Sequence, residues 1–122
     1  MAKMKQFTID QIRDKEVVTV GHNRIITVKD DVFCGSLHGN EIIQIQLNQD
    51  DPLAAKVCVD NCGFLTVTTI RAMNDFLNYF GIRAKVSMSK GKMIVKHTAV
   101  NCVDYTIPDA QKNETFYCAR TK

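Results

Sequence analysis

The sequence predicts an α+β fold: an antiparallel β-sheet of about six strands, with one main helix packed on one face and a short helix near the amino end. Three observations carry this. Between Asn61 and Gly81 a glycine turn leads through a threonine-rich segment into the clearest helical periodicity of the chain. On either side lie short β-branched or alternating runs punctuated by Gly, Asn and Lys turn signals, the pattern of antiparallel hairpins. The length of 122 residues, with 45% hydrophobic and 24% charged residues, suits one domain with one core and no separate catalytic lobe. Residues 1–122 are therefore read as a single domain, with the tail 108–122 as an interface or flexible segment.

The first element is a short helix over 9–14. Thr8 serves as its N-cap, Gln11 completes a capping box, and Phe7 against Ile12 forms a hydrophobic staple. So short a helix is not stable alone in water, so it docks on the domain or on a second subunit. Residues 17–20 and 24–28 read as strands around Gly21-His22-Asn23, since glycine and asparagine tolerate positive φ. The next pair runs over 32–37 and 41–47 around His38-Gly39-Asn40. In its second strand Ile43, Ile45 and Leu47 alternate with Gln44 and Gln46, so one face is wet. A polar connection over 48–52 leads to a short strand over 56–59.

The main helix is expected over 68–80. Ile70, Met73, Leu77 and Phe80 recur at spacings of three and four, Phe76 widens the stripe, and Arg71, Asn74, Asp75 and Asn78 fall on other sides. Thr68 or Thr69 is placed to cap its first turn, and Gly81 to close it in the left-handed conformation. Residues 82–88 and 92–97 form a third hairpin around Lys90-Gly91, and one further strand is expected over 104–107. After Pro108, Phe116 and Tyr117 are read as packing back onto the domain or across a subunit interface. That tail and the short first helix together motivate an expected homo-oligomer.

Composition narrows the function classes. No apolar run approaches the roughly 18 residues that a membrane span needs, so no membrane partner is expected. The amino end has basic residues with no apolar segment behind them, so it is not read as a secretory signal, and the expected compartment is the cytoplasm. Cys34, Cys58, Cys62, Cys102 and Cys118 are an odd set without tight pairing, which reads as free thiols. Cys58 and Cys62 with His38 or His97 lack the two close ligand pairs of a structural zinc site, so neither metal nor cofactor is expected. Asp10, Asp14, Asp50, Asp51, Asp60 and Asp75 show no spacing that pairs an acid with a base, so no enzyme is expected.

Charge is concentrated in one place. The net charge is only +3, yet between Arg83 and Val103 lie Arg83, Lys85, Lys90, Lys92 and Lys96, with His97 and no acid. Strand parity puts four of these cations on one face of a hairpin and Lys90 at its tip, either as a phosphate-binding surface or as a solvated outer face.

The runs His38-Gly39-Asn40-Glu41-Ile42, Asn61-Cys62-Gly63-Phe64-x-Thr66-x-Thr68-Thr69-x-Arg71-x-x-Asn74-x-x-Leu77 and Lys90-Gly91-Lys92 resemble a family of small phage-encoded proteins. That family has a Cys-Gly-aromatic-x-Thr-x-Thr-Thr-x-Arg-x-x-Asn core and a basic hairpin. Phe64 stands where tryptophan is frequent in it, and Met93-Ile94-Val95 where aromatics are frequent. The resemblance implies a setting, the cytoplasm of an infected bacterial host, and no mechanism.

The expected function is thus non-enzymatic binding by a counter-defence protein of the anti-CRISPR kind. It would sequester a nucleotide signal, with Thr66, Thr68, Thr69 and Arg71 on phosphate oxygens and Asn74 further along the helix, or block a nucleic-acid-binding surface of a host defence nuclease. The alternative is a general nucleic-acid-binding module using the basic hairpin. The expected partners are a host defence protein or the phosphates of a nucleotide or nucleic acid.

Overall fold

The computed structural model describes residues 5–48, 50–51, 53–110 and 112–121. Lys3 of the basic amino end, and parts of the 48–52 connection and of the tail, lie outside the described residues.

Helix α1 (Ile9–Lys15) forms because its start is fully capped: Thr8 Oγ1 accepts the Gln11 N–H at 3.1 Å and Gln11 Oε1 accepts the Thr8 N–H at 2.9 Å. It docks on its own domain. Ile12 is fully buried, and the Phe7 N–H donates to the Tyr79 hydroxyl at 2.7 Å.

The chain then runs as an antiparallel meander, β1 (Val17–Gly21), β2 (Arg24–Lys29), β3 (Val32–Leu37), β4 (Asn40–Leu47) and β5 (Ala54–Val59). Helix α2 (Val67–Tyr79) follows, then β6 (Ala84–Ser89), β7 (Lys92–Thr98), β8 (Asp104–Ile107) and β9 (Glu114–Ala119). The turn at His38-Gly39 takes φ of 51° and 81°, the left-handed pair that suits the twist of a two-residue hairpin.

The single sheet of about six strands is corrected to two sheets. One has six strands in the order β1-β2-β3-β4-β5-β9, and the other has three in the order β6-β7-β8. Two pairings explain the split. The tail strand β9 occupies the free edge of β5, in register from Ala54↔Ala119 to Val59↔Glu114. The β6–β7 hairpin is held elsewhere, because Asn74 on α2 bonds the β6 backbone like another strand: the Val86 N–H donates to Asn74 Oδ1 and Asn74 Nδ2 donates to the Val86 carbonyl, each at 2.8 Å.

Helix α2 begins one residue earlier than expected. Thr66, extended at φ −125° and ψ 160°, is the N-cap and accepts the Thr69 N–H at 3.2 Å, so the cap is neither Thr68 nor Thr69. The helix closes as its sequence foretells: the Gly81 N–H reaches the Asn78 carbonyl at 3.1 Å and the Ile82 N–H reaches that of Leu77 at 2.9 Å, a Schellman motif around Gly81 at φ 68°. Phe76 packs on Gly35 of β3, and Asp75 lies 2.9 Å from Arg24 Nε of β2, an ion pair bent too far for a good hydrogen bond.

One continuous core joins both sheets and both helices, with Ile12, Phe33, Ile45, Met73, Leu77 and Met93 among its fully buried side chains. Phe116 enters it from β9, whereas Tyr117 is 68% exposed. The short helix and the tail, which motivated the expected oligomer, both have places within one chain.

Candidate functional site

The β6–β7 hairpin presents its cations on one side. Lys85 lies directly across from Lys96, and Ser89 across from Lys92; Arg83, Lys92 and Lys96 share that parity. Lys90 and Gly91 form the tip with φ of 53° and 75°. All five cations are exposed, and among the described residues none of them makes an ion pair. Like charges directly opposite on neighbouring strands cost stability, so Lys85 and Lys96 repel each other here; Asp104 of β8, across from Thr98, is an acid on the same face and makes no ion pair with them among the described residues.

His97 does not belong to that face. It packs between Tyr105 of β8, with ring centroids 5.6 Å apart, and Phe116 of β9, at 4.7 Å, and so bridges the two sheets. Burial lowers its pKa, and its Nδ1 has no hydrogen-bond partner among the described residues, so it adds no cation to the basic surface.

A second feature lies at the start of α2. A pocket of about 260 Å³ is lined on one side by Leu37, His38, Asn40 and Ile42, and on the other by Asn61, Phe64, Thr66, Thr68 and Thr69. Two local devices bring these stretches together. Gly35 pairs with Ile43 and Ser36 with Glu41, so Ile42 is the extra residue of a β-bulge that re-aims this end of β4. Opposite it, the Phe64 N–H donates to the Asn61 carbonyl at 2.8 Å, closing a tight turn over Cys62 and Gly63, whose φ values are 54° and 84°.

Within that turn Asn61 Oδ1 accepts the Gly63 N–H at 2.9 Å, which settles the orientation of the amide. Its Nδ2 is left buried and, among the described residues, without a partner, although the side chain is only 4% exposed. Thr66 Oγ1 donates to Thr69 Oγ1 at 3.1 Å, which ties up the buried Thr69, while Thr68 is exposed. Phe64 is 54% exposed despite being apolar.

The predicted contacts therefore separate. Thr66, Thr68 and Thr69 meet at the pocket. Arg71 is exposed on α2 and is not among its lining residues. Asn74 is unavailable to a ligand, since its amide is committed to Val86 at both ends. Asn61, Phe64, His38 and Asn40 were not read as site residues. The available signal was an asparagine opening a Cys-Gly turn just before a helix start.

A larger cleft of about 380 Å³ lies by β5 and β9, lined among others by Arg13, Asp31, Lys56 and Tyr117. Its charges already have partners: Arg13 is 3.7 Å from Asp31, and the Lys56 ammonium sits 6.0 Å from the Tyr117 ring centroid. Near the smaller pocket, burial and then the charges of Asp60 and Glu41 push the Cys62 thiol up, opposite to the shift that activates a nucleophile.

The sequence profile of the Kyanoviridae Gp96 protein family matches residues 1–117. The chain belongs to that family. The matched span takes in both features of this Gp96-family chain, the whole pocket and the whole basic face. It is thus a phage-encoded protein. Searches of curated proteins and of solved structures gave no match. None of its helices, among the described residues, is long and apolar enough to cross a membrane.

Proposed function

We propose that this phage protein is a non-enzymatic nucleic-acid binder that acts through the basic face of its three-stranded sheet, in the cytoplasm of the infected host. The observation that carries the reading is the pairing of Lys85 directly against Lys96, with Arg83, Lys92 and the tip Lys90 nearby and no acid in an ion pair with any of them among the described residues. Such repulsion is relieved when phosphates replace the salt ions around the cations.

The sign of the charge supports one of the expected modes over the other. A nuclease's own nucleic-acid-binding surface is cationic, so this face repels it and attracts the nucleic acid instead. Covering phosphates that a defence nuclease must reach is the counter-defence role consistent with a phage gene. The raised Cys62 pKa is opposite to what nucleophilic chemistry near the start of α2 would need.

The test is the salt dependence of duplex DNA binding, followed by fluorescence anisotropy. Each phosphate contact contributes about 0.9 to the slope of log affinity against log salt, so replacing Lys90, Lys92 and Lys96 together by glutamine should flatten it by up to about 2.7. Equal slopes for the two proteins, or no binding by the unmodified chain at low salt, would overturn the proposal.

A further inference from the structure

We propose that the pocket at the start of α2 is a separate binding site for a nucleoside monophosphate unit, with the phosphate on the first turn of the helix and the base against Phe64. This does not rest on the basic face, and it stands on observations of its own.

The pocket offers donors, and the acids nearest to it, Asp60 and Glu41, lie beside Cys62 and not in its lining. With Thr66 capping the Thr69 N–H, the N–H groups of Val67 and Thr68 remain directed out of the helix start, where the partial positive charge of a 13-residue helix is concentrated. The exposed hydroxyl of Thr68 lies on the same rim. Beneath them the Asn61 Nδ2 donor is buried and unpartnered, a costly state for an amide unless an acceptor fills the pocket. No acidic side chain is among the lining residues. A set of donors with no acceptor of matching charge calls for an anion rich in oxygen acceptors, and phosphate at a helix start is the one that fits.

Phe64 and the volume define the rest. An aromatic ring 54% exposed at the rim of a pocket whose walls are mainly apolar, with Leu37 and Ile42 opposite, supplies the stacking surface that a nucleobase uses regardless of its identity. At about 260 Å³ the space falls just under the roughly 300 Å³ at which drug-sized ligand sites begin. It therefore holds one nucleotide unit, and a second would lie outside.

The test is an NMR titration of the full chain with 5′-AMP, 5′-UMP, adenosine and inorganic phosphate. Saturable shifts of the Asn61 side-chain NH₂ and the Thr68 amide are expected with both monophosphates, and weaker ones with adenosine or phosphate alone. A 5′-phosphorylated trinucleotide in parallel distinguishes a strand end from a free nucleotide as the source of the unit. Asn61→Asp keeps an oxygen for the Gly63 N–H and removes the donor. Thr68→Glu puts a carboxylate where the phosphate sits and should hold or raise the melting temperature, because a negative charge favours a helix start.

Each variant should weaken monophosphate binding at least about tenfold, as losing a hydrogen bond to a charged group does. Replacing Lys90, Lys92 and Lys96 by glutamine should leave it unchanged, which separates this site from the basic face. Absence of saturable shifts with every probe at millimolar concentration overturns the proposal. So does a folded Thr68→Glu variant that binds as tightly as the unmodified protein.

Discussion

Gly35 shows how a single residue sets the distance between layers. A Cβ there would lie 2.7 Å from Ile43 Cγ2 and 2.8 Å from Phe76 Cδ2, so glycine is what allows α2 to sit this close to β3 and β4. The ring of Phe76 is fully buried and has little room to give. Gly35→Ala should cost about 1–3 kcal/mol by overpacking, read from the midpoint of urea unfolding, even though alanine favours a strand no less than glycine does. An unchanged midpoint would mean that the helix can retreat without loss. Asn61 is the opposite case, where one amide is half used: its oxygen closes a turn while its buried nitrogen has no partner among the described residues.

Between elements, the contact that decides the architecture is made by a side chain. Asn74 presents an oxygen and an NH₂ to Val86 with the spacing of a backbone peptide, which satisfies β6 on the side away from β7. Removing it leaves two half-buried backbone groups unpaired. Asn74→Ala should therefore cost about 1–3 kcal/mol and speed hydrogen exchange at the Val86 amide well beyond its neighbours. Protection at Val86 equal to that of the unmodified chain would show that water or a shifted β6 replaces the bonds. The same contact is why Asn74 cannot also serve a ligand.

Across the whole molecule, the two sheets are stitched by the His97 ring between Tyr105 and Phe116. Burial holds the His97 pKa below its ordinary value of 6.5, so the folded chain takes up a proton less readily than the unfolded chain. Below that value the unfolded state binds more protons, and stability falls as the pH drops toward the folded pKa. His97→Gln should flatten the dependence of the unfolding midpoint on pH between 6.5 and about 5, above the range in which carboxylates titrate. A slope in that window unaffected by the substitution would show that His97 does not carry the dependence.

Read along the chain, the sequence by itself determined whatever depends on neighbours a few residues apart. Thr8 and Gln11 make the first helix because a capping box closes within four residues, and the Gly81 closure of α2 needs only its own last turn. The hairpin turns at His38-Gly39 and Lys90-Gly91 are equally local, as is the common parity of Arg83, Lys85, Lys92 and Lys96. The capping threonine was displaced from its expected place because three candidates stand within four positions, and only the extended backbone at Thr66 selects among them.

Tertiary structure alone decided the rest, since those choices are competitions between distant partners. Whether β5 pairs with the hairpin or with the tail depends on which strand can present Phe116 to the core, and Val57↔Phe116 is a pairing no local pattern encodes. The pocket is legible only once the Ile42 bulge and the Asn61 turn face each other, because its key signal is the absence of a partner for Asn61 Nδ2. An unmet hydrogen bond is a property of three-dimensional surroundings, and no spacing of residues announces it.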